Sequence, residues 1–113
     1  MFLGCTGLTV APSLPATTLA TSCYSNMFNG CTGLTVAPDL PAKTLQIDCY
    51  NYMFAHCTNL SSINVSFTSW NVITSTNNWL LEVAAEGEFY KPQGLSVQTG
   101  PSNIPSGWTV TNK

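Results

Sequence analysis

Few side chains in this sequence can do acid–base or nucleophilic chemistry: one histidine, five cysteines, and five carboxylates shared between Asp and Glu. Any general base must therefore be His56 or a carboxylate, and a thiol nucleophile needs a histidine within hydrogen-bond reach. His56 directly precedes Cys57, but adjacent side chains point in different directions, and the sequence shows no Asp or Asn to orient the imidazole. Glu82 and Glu86 are spaced i, i+4. Paired carboxylates of that kind suit glycoside hydrolysis, although like charges on a short exposed helix are the simpler account. The cysteines lack the CxxC or His-rich spacing of a zinc site. No dinucleotide, Walker, Gly-x-Ser-x-Gly or calcium-loop pattern occurs. The sequence predicts a protein that is not an enzyme, with no catalytic residue, no cofactor and no metal.

Aromatic residues offer a different chemistry. An exposed Trp can stack on a sugar ring, so Trp70 and Trp79 are candidate glycan platforms, set against the simpler role of burying a core. Asn59-Leu60-Ser61 and Asn64-Val65-Ser66 match the N-glycosylation pattern by chance.

Charge narrows the partners. Lys and Arg together number three and net charge is −2. Nucleic-acid binding needs clustered cations to displace phosphate counterions, so that class is excluded. No run of eighteen apolar residues exists, and membrane insertion is not expected.

The elements that must position these residues are set by a tandem repeat. Residues 1–26 read MFLGCTGLTVAPSLPATTLATSCYSN and residues 27–52 read MFNGCTGLTVAPDLPAKTLQIDCYNY, identical at 18 of 26 positions. A third copy opens at Met53 with MFAHCTNL and then diverges. A fixed period of this length predicts stacked supersecondary units that bury their faces only against one another. Met1 is then an internal repeat position, equivalent to Met27 and Met53, and the chain is expected to be a fragment of a longer protein.

Within one unit, Gly33 to Ala37 alternates and predicts a short strand with Leu34 and Val36 on one face. Pro38 and Pro41 end it. From Lys43 to Cys57, apolar residues recur every three or four positions, which predicts one or two helical turns. Stacking sets Phe2, Phe28 and Phe54 in one column, Leu8, Leu34 and Leu60 in another, and Leu19 over Leu45 in a third. The cysteines fall into columns as well, Cys5/Cys31/Cys57 and Cys23/Cys49, and read as buried free thiols. After Val65 the aromatics concentrate, as in a cap over a last core face. There the sequence predicts a helix from Trp79 to Glu86, N-capped by Asn78, and strands at Glu88–Pro92 and Gly107–Thr111.

Gly30-Cys31-Thr32-Gly33-Leu34, the Pro38 corner, and the tail segments Gly87-Glu88-Phe89-Tyr90 and Ile104-Pro105-Ser106-Gly107-Trp108 resemble the BspA-like leucine-rich repeats of bacterial surface proteins. The resemblance covers residues 1–67 and part of the tail. The 26-residue period is longer than the 23 common in that family. It implies an α/β leucine-rich-repeat solenoid of short parallel strands and short helices: repeats over 1–66 (1–26, 27–52 and a partial 53–66) and a C-terminal cap over 67–113. It also implies a non-catalytic module on the bacterial cell surface or outside the cell, for adhesion to a host protein or glycan. A structural spacer or phage tail-fibre element is the competing reading. The expected binding face is the outward strand side, Thr9, Ala11, Thr35, Ala37, Asn59 and Ser61. The open N-terminal edge is expected to promote self-association.

Overall fold

A computed structural model describes residues 2–70 and 74–113; Met1 lies outside them. Three short strands, β1 (Ser62–Asn64), β2 (Glu88–Lys91) and β3 (Thr109–Asn112), form one open sheet in the order β1-β2-β3. All pairing is parallel, with Ser62 against Glu88 and Glu88 against Thr109. Two isolated parallel bridges, Val36 to Ser62 and Leu40 to Val65, add the second sequence block to the β1 edge.

The described residues contain no helix. This corrects the expected α/β leucine-rich-repeat solenoid: the architecture is an open three-stranded parallel sheet joined to long runs of turns. The reason lies in the backbone of 21–30, 47–56 and 74–82, which is continuous turn. Every fourth residue there has positive φ: Ser22, Asn26 and Gly30; Asp48, Tyr52 and His56; Thr74, Asn78 and Glu82. A left-handed residue cannot continue a right-handed helix, so each one closes a turn. The N–H groups then divide between two destinations. Those of Cys49, Asn51, Met53, Ala55 and Cys57 donate to the carbonyl three residues back. Those of Tyr50, Tyr52, Phe54 and His56 donate to Ser75, Asn77, Trp79 and Leu81, 25 residues on. Every backbone donor from 49 to 57 is thereby paired without a helix.

A four-residue turn brings i and i+4 to one side just as a 3.6-residue helix does, which is why the Lys43–Cys57 spacing mimicked a helix. The expected Trp79–Glu86 helix fails for the same reason, since Asn78 and Glu82 are left-handed. The Gly33–Ala37 strand reduces to one bridge, and its faces differ from the alternation: Leu34 and Ala37 are buried while Val36 is 56% exposed. Ala37 lies one residue past the bridge and shares the inward side with Ile63. The expected tail strands are present with shifted ends, at Glu88–Lys91 and Thr109–Asn112.

Inside, the rings of Phe2, Phe28 and Phe54 lie stacked 5.4 and 5.6 Å apart and nearly parallel. Tyr24, Tyr50 and Trp79 form a second stack at 6.2 and 5.9 Å. Leu34, Leu60 and the Leu19 and Leu45 pair are buried in the same core. That core runs without a break into Trp79, Phe89, Ile104 and Trp108. The turn backbone of 48–56 recurs at 74–82, beyond the point where the sequence repeat stops.

Candidate functional site

His56 and Glu82 come together on neighbouring turns, Nδ1 and Oε2 2.5 Å apart, with both side chains about half exposed or more. The contact has two counterparts along the same backbone. Thr74 donates to Asp48, and Asn78 Nδ2 donates to Tyr52 Oη at 3.0 Å. Each pair joins left-handed residues 26 apart, so the His–Glu contact is one rung of a side-chain ladder between stacked turns.

Cys57 is no partner for His56. Its thiol is fully buried, donates to the Phe28 carbonyl at 3.0 Å, and is pushed up to about 12 by burial. Cys31 repeats this contact on the Phe2 carbonyl at 2.9 Å, and burial raises it and Cys49 as well. A thiol held protonated in this way is a poor nucleophile. All five cysteines are free thiols, with Cys5 and Cys23 exposed. Among the described residues no His, Cys, Asp and Glu cluster has the form of a metal site.

The proposed strand face does not form one surface. Thr9, Thr35 and Asn59 are exposed, Ala11 and Ser61 are half-buried, and Ala37 is buried. Asn59 also turns back, donating Nδ2 to the Thr32 carbonyl at 2.6 Å. Val10, beside Thr9 and Ala11, is a large apolar side chain left 80% exposed.

The two tryptophans part company. Trp79 is fully buried and donates Nε1 to the Asn103 carbonyl at 2.9 Å, so it is a core residue and cannot act as a platform. Trp70 is half-buried. Its edge-on contacts with Phe67 and Trp79, and its Nε1 bond to the Ser96 carbonyl at 2.9 Å, fix the ring.

Trp70 forms part of the lining of a hollow of about 240 Å³ whose other walls are Thr74, Ser75, Thr76, Asn77, Ser102 and Asn103. Among the described residues, no charged side chain lines it. Two hydrogen bonds brace the walls: Thr76 Oγ1 donates to the Ser102 carbonyl at 2.8 Å, and the Asn78 N–H donates to Ser102 Oγ at 2.9 Å. The side-chain amides of Asn77 and Asn103 make no hydrogen bond within the described residues. At this volume, below the ~300–1,000 Å³ of common small-molecule pockets, the hollow accepts one ring-sized group.

Comparison with protein families, curated proteins and solved structures finds no match. Function must therefore be argued from the sites themselves.

A second hollow, of about 220 Å³, lies between Leu80, Val83, Pro101 and Pro105. Its lining is apolar apart from Ser106 and Glu82, the carboxylate already engaged by His56. The Trp70 hollow has the more specific chemistry, combining an aromatic face with hydroxyl and amide groups. Sequence reasoning selected Trp70 but missed Asn77, Ser102 and Asn103. A signal for Asn77 existed, since it stands 26 residues after Asn51, itself 26 after Ser25.

Proposed function

We propose that this chain is a non-catalytic recognition module, displayed at the bacterial cell surface or outside the cell, which takes a neutral sugar unit of a glycan in the Trp70 hollow. The observation that carries this reading is the pairing of a fixed, partly exposed indole with the unengaged amides of Asn77 and Asn103 in an uncharged depression. A sugar ring presents apolar C–H faces that stack on indole and hydroxyls that both donate to and accept from amides. A shallow single-ring site binds weakly, so useful affinity comes from several modules acting together. The resemblance of the Gly-Cys-Thr-Gly-Leu segments to bacterial surface repeats supports the same reading.

The test is a glycan screen with the chain displayed multivalently, repeated for Trp70→Ala and for Asn77→Ala with Asn103→Ala. The expected result is selective binding by the parent, lost in both variants at unchanged folding. Absence of any bound glycan, or binding that both variants retain, overturns the proposal and favours the spacer reading.

A further inference from the structure

The backbone hydrogen bonds between stacked turns all run in one direction. Ser22, Tyr24 and Asn26 donate to Ile47, Cys49 and Asn51 at 2.9, 3.0 and 2.9 Å. Tyr50 and Tyr52 donate in turn to Ser75 and Asn77 at 2.8 and 2.9 Å. Each turn thus presents N–H groups on one side and carbonyls on the other. At the far end the donors are closed off, with Leu80 donating to the Pro101 carbonyl and Asn78 to Ser102 Oγ. At the near end the carbonyls of Thr21, Cys23 and Ser25 are the counterparts of Ile47, Cys49 and Asn51. They accept no backbone N–H among the described residues.

A glycine slot marks the same edge. A Cβ on Gly33 would stand 2.6 Å from the Thr6 carbonyl oxygen and 3.2 Å from that of Leu8, so this glycine is what admits the first block's backbone. Gly7 is its counterpart one block earlier, and nothing lies within 4 Å of a Cβ built there. The ring columns end here too, on Phe2 and Tyr24, beside the exposed Cys23.

We propose that the edge formed by Gly7, Thr21, Cys23 and Ser25 is a polarised docking surface for one further copy of the 26-residue block, laid parallel to the first. The surface continues the interface already made between residues 22–30 and 47–55, with the same acceptors, slot and ring columns. Polarity selects the occupant. Two chains meeting head to head set carbonyls against carbonyls, and the turn donors of a second whole chain are already engaged. A block bearing the alternate N–H groups of Ser22, Tyr24 and Asn26 supplies what the edge lacks.

The test places the sequence of residues 27–52 directly ahead of Met1 in the full chain and compares it with a scrambled version of that block. Readouts are the urea midpoint and thiol labelling of Cys23, resolved by mass spectrometry. The authentic block is expected to raise the midpoint and slow Cys23 labelling by about tenfold or more, since protected sites react only on opening; the scrambled block does neither. Gly7→Ala is expected to leave Cys23 labelling of the parent unchanged and its urea midpoint level or slightly raised, and to cancel both gains in the extended chain. Parental labelling of Cys23 under the authentic block overturns the proposal. So does an equal gain from the scrambled block, or a gain that survives Gly7→Ala.

Discussion

His56 Nδ1 and Glu82 Oε2 meet at 2.5 Å from two residues that are both left-handed, with φ of 62° and 59°. The column they belong to begins with Gly4 and Gly30, at 71° and 79°. Two of four members are thus glycines, for which this conformation carries no Cβ penalty. Two are polar residues held there against a penalty of about 1–2 kcal/mol. An exposed side-chain contact of this kind contributes ~0–1 kcal/mol, so backbone relief and contact loss nearly cancel. His56→Gly is expected to change unfolding free energy by less than about 1 kcal/mol. His56→Val, β-branched at positive φ, is expected to destabilise by more than about 1 kcal/mol. Urea denaturation of the two variants checks the ordering, and a more stable valine variant refutes it.

That column also shows how far the fold was legible. The Phe2, Phe28 and Phe54 column followed from the 26-residue period alone, because equivalent residues of stacked units must meet. The backbone that carries them did not, because i, i+4 burial of Cys49 with Met53, and of Tyr50 with Phe54, fits a helix and a four-residue turn equally. The deciding signal was the residues between. Gly4, Asn26, Gly30, Asp48 and Asn78 are types that tolerate left-handed backbone, placed at four-residue steps or in 26-residue register. Tyr52, Thr74, His56 and Glu82 occupy the same conformation without advertising it, which hid the pattern. At the site, Trp70 was visible as an aromatic, whereas its polar wall is assembled from residues 74–77 and 102–103 by the tail folding back over the turns.

The Phe column makes a sharper prediction for stability. Phe28 is fully buried between Phe2 and Phe54. Phe28→Ala removes two ring contacts and leaves a cavity that backbone hydrogen bonds on both sides hold open. Losses of ~3–5 kcal/mol are usual for buried Phe→Ala, a large share of the ~5–15 kcal/mol that stabilises a typical domain. The variant is expected to be largely unfolded or to melt far below the parent by circular dichroism. Phe2→Ala, at the half-buried end of the same column, is expected to cost clearly less.

Gly7 and Gly33 occupy the same place in two nearly identical blocks, yet they differ in what surrounds them. Gly33→Ala drives a methyl to 2.6 Å from the Thr6 carbonyl oxygen, so two backbones must separate. Its expected cost is about 2 kcal/mol or more, in the range of overpacked sites. Gly7→Ala meets open space and is expected to be neutral or slightly stabilising, by up to ~1 kcal/mol, through loss of unfolded-chain entropy. Equal effects of the two substitutions on the urea midpoint would contradict the stacking of the first block on the second.

The thiols predict both reactivity and alkaline behaviour. Cys5 and Cys23 are exposed, whereas Cys31, Cys49 and Cys57 are buried. A thiol reagent at neutral pH is expected to modify the first pair rapidly and the other three only on unfolding. Burial raises the folded Cys57 thiol from an ordinary 9.0 to about 12, and it raises Cys31, Cys49 and the Tyr50 phenol in the same direction. Below about pH 9 both folded and unfolded thiols hold their protons, and stability is undiminished. Between about pH 9 and 12 the unfolded thiols ionise while the folded ones resist, so the unfolded state binds fewer protons and stability falls as pH rises. Urea midpoints taken across that window are expected to decline steadily. Cys57→Ala, compared with its own value at neutral pH, is expected to decline less steeply than the parent; a parallel decline would remove Cys57 from the account.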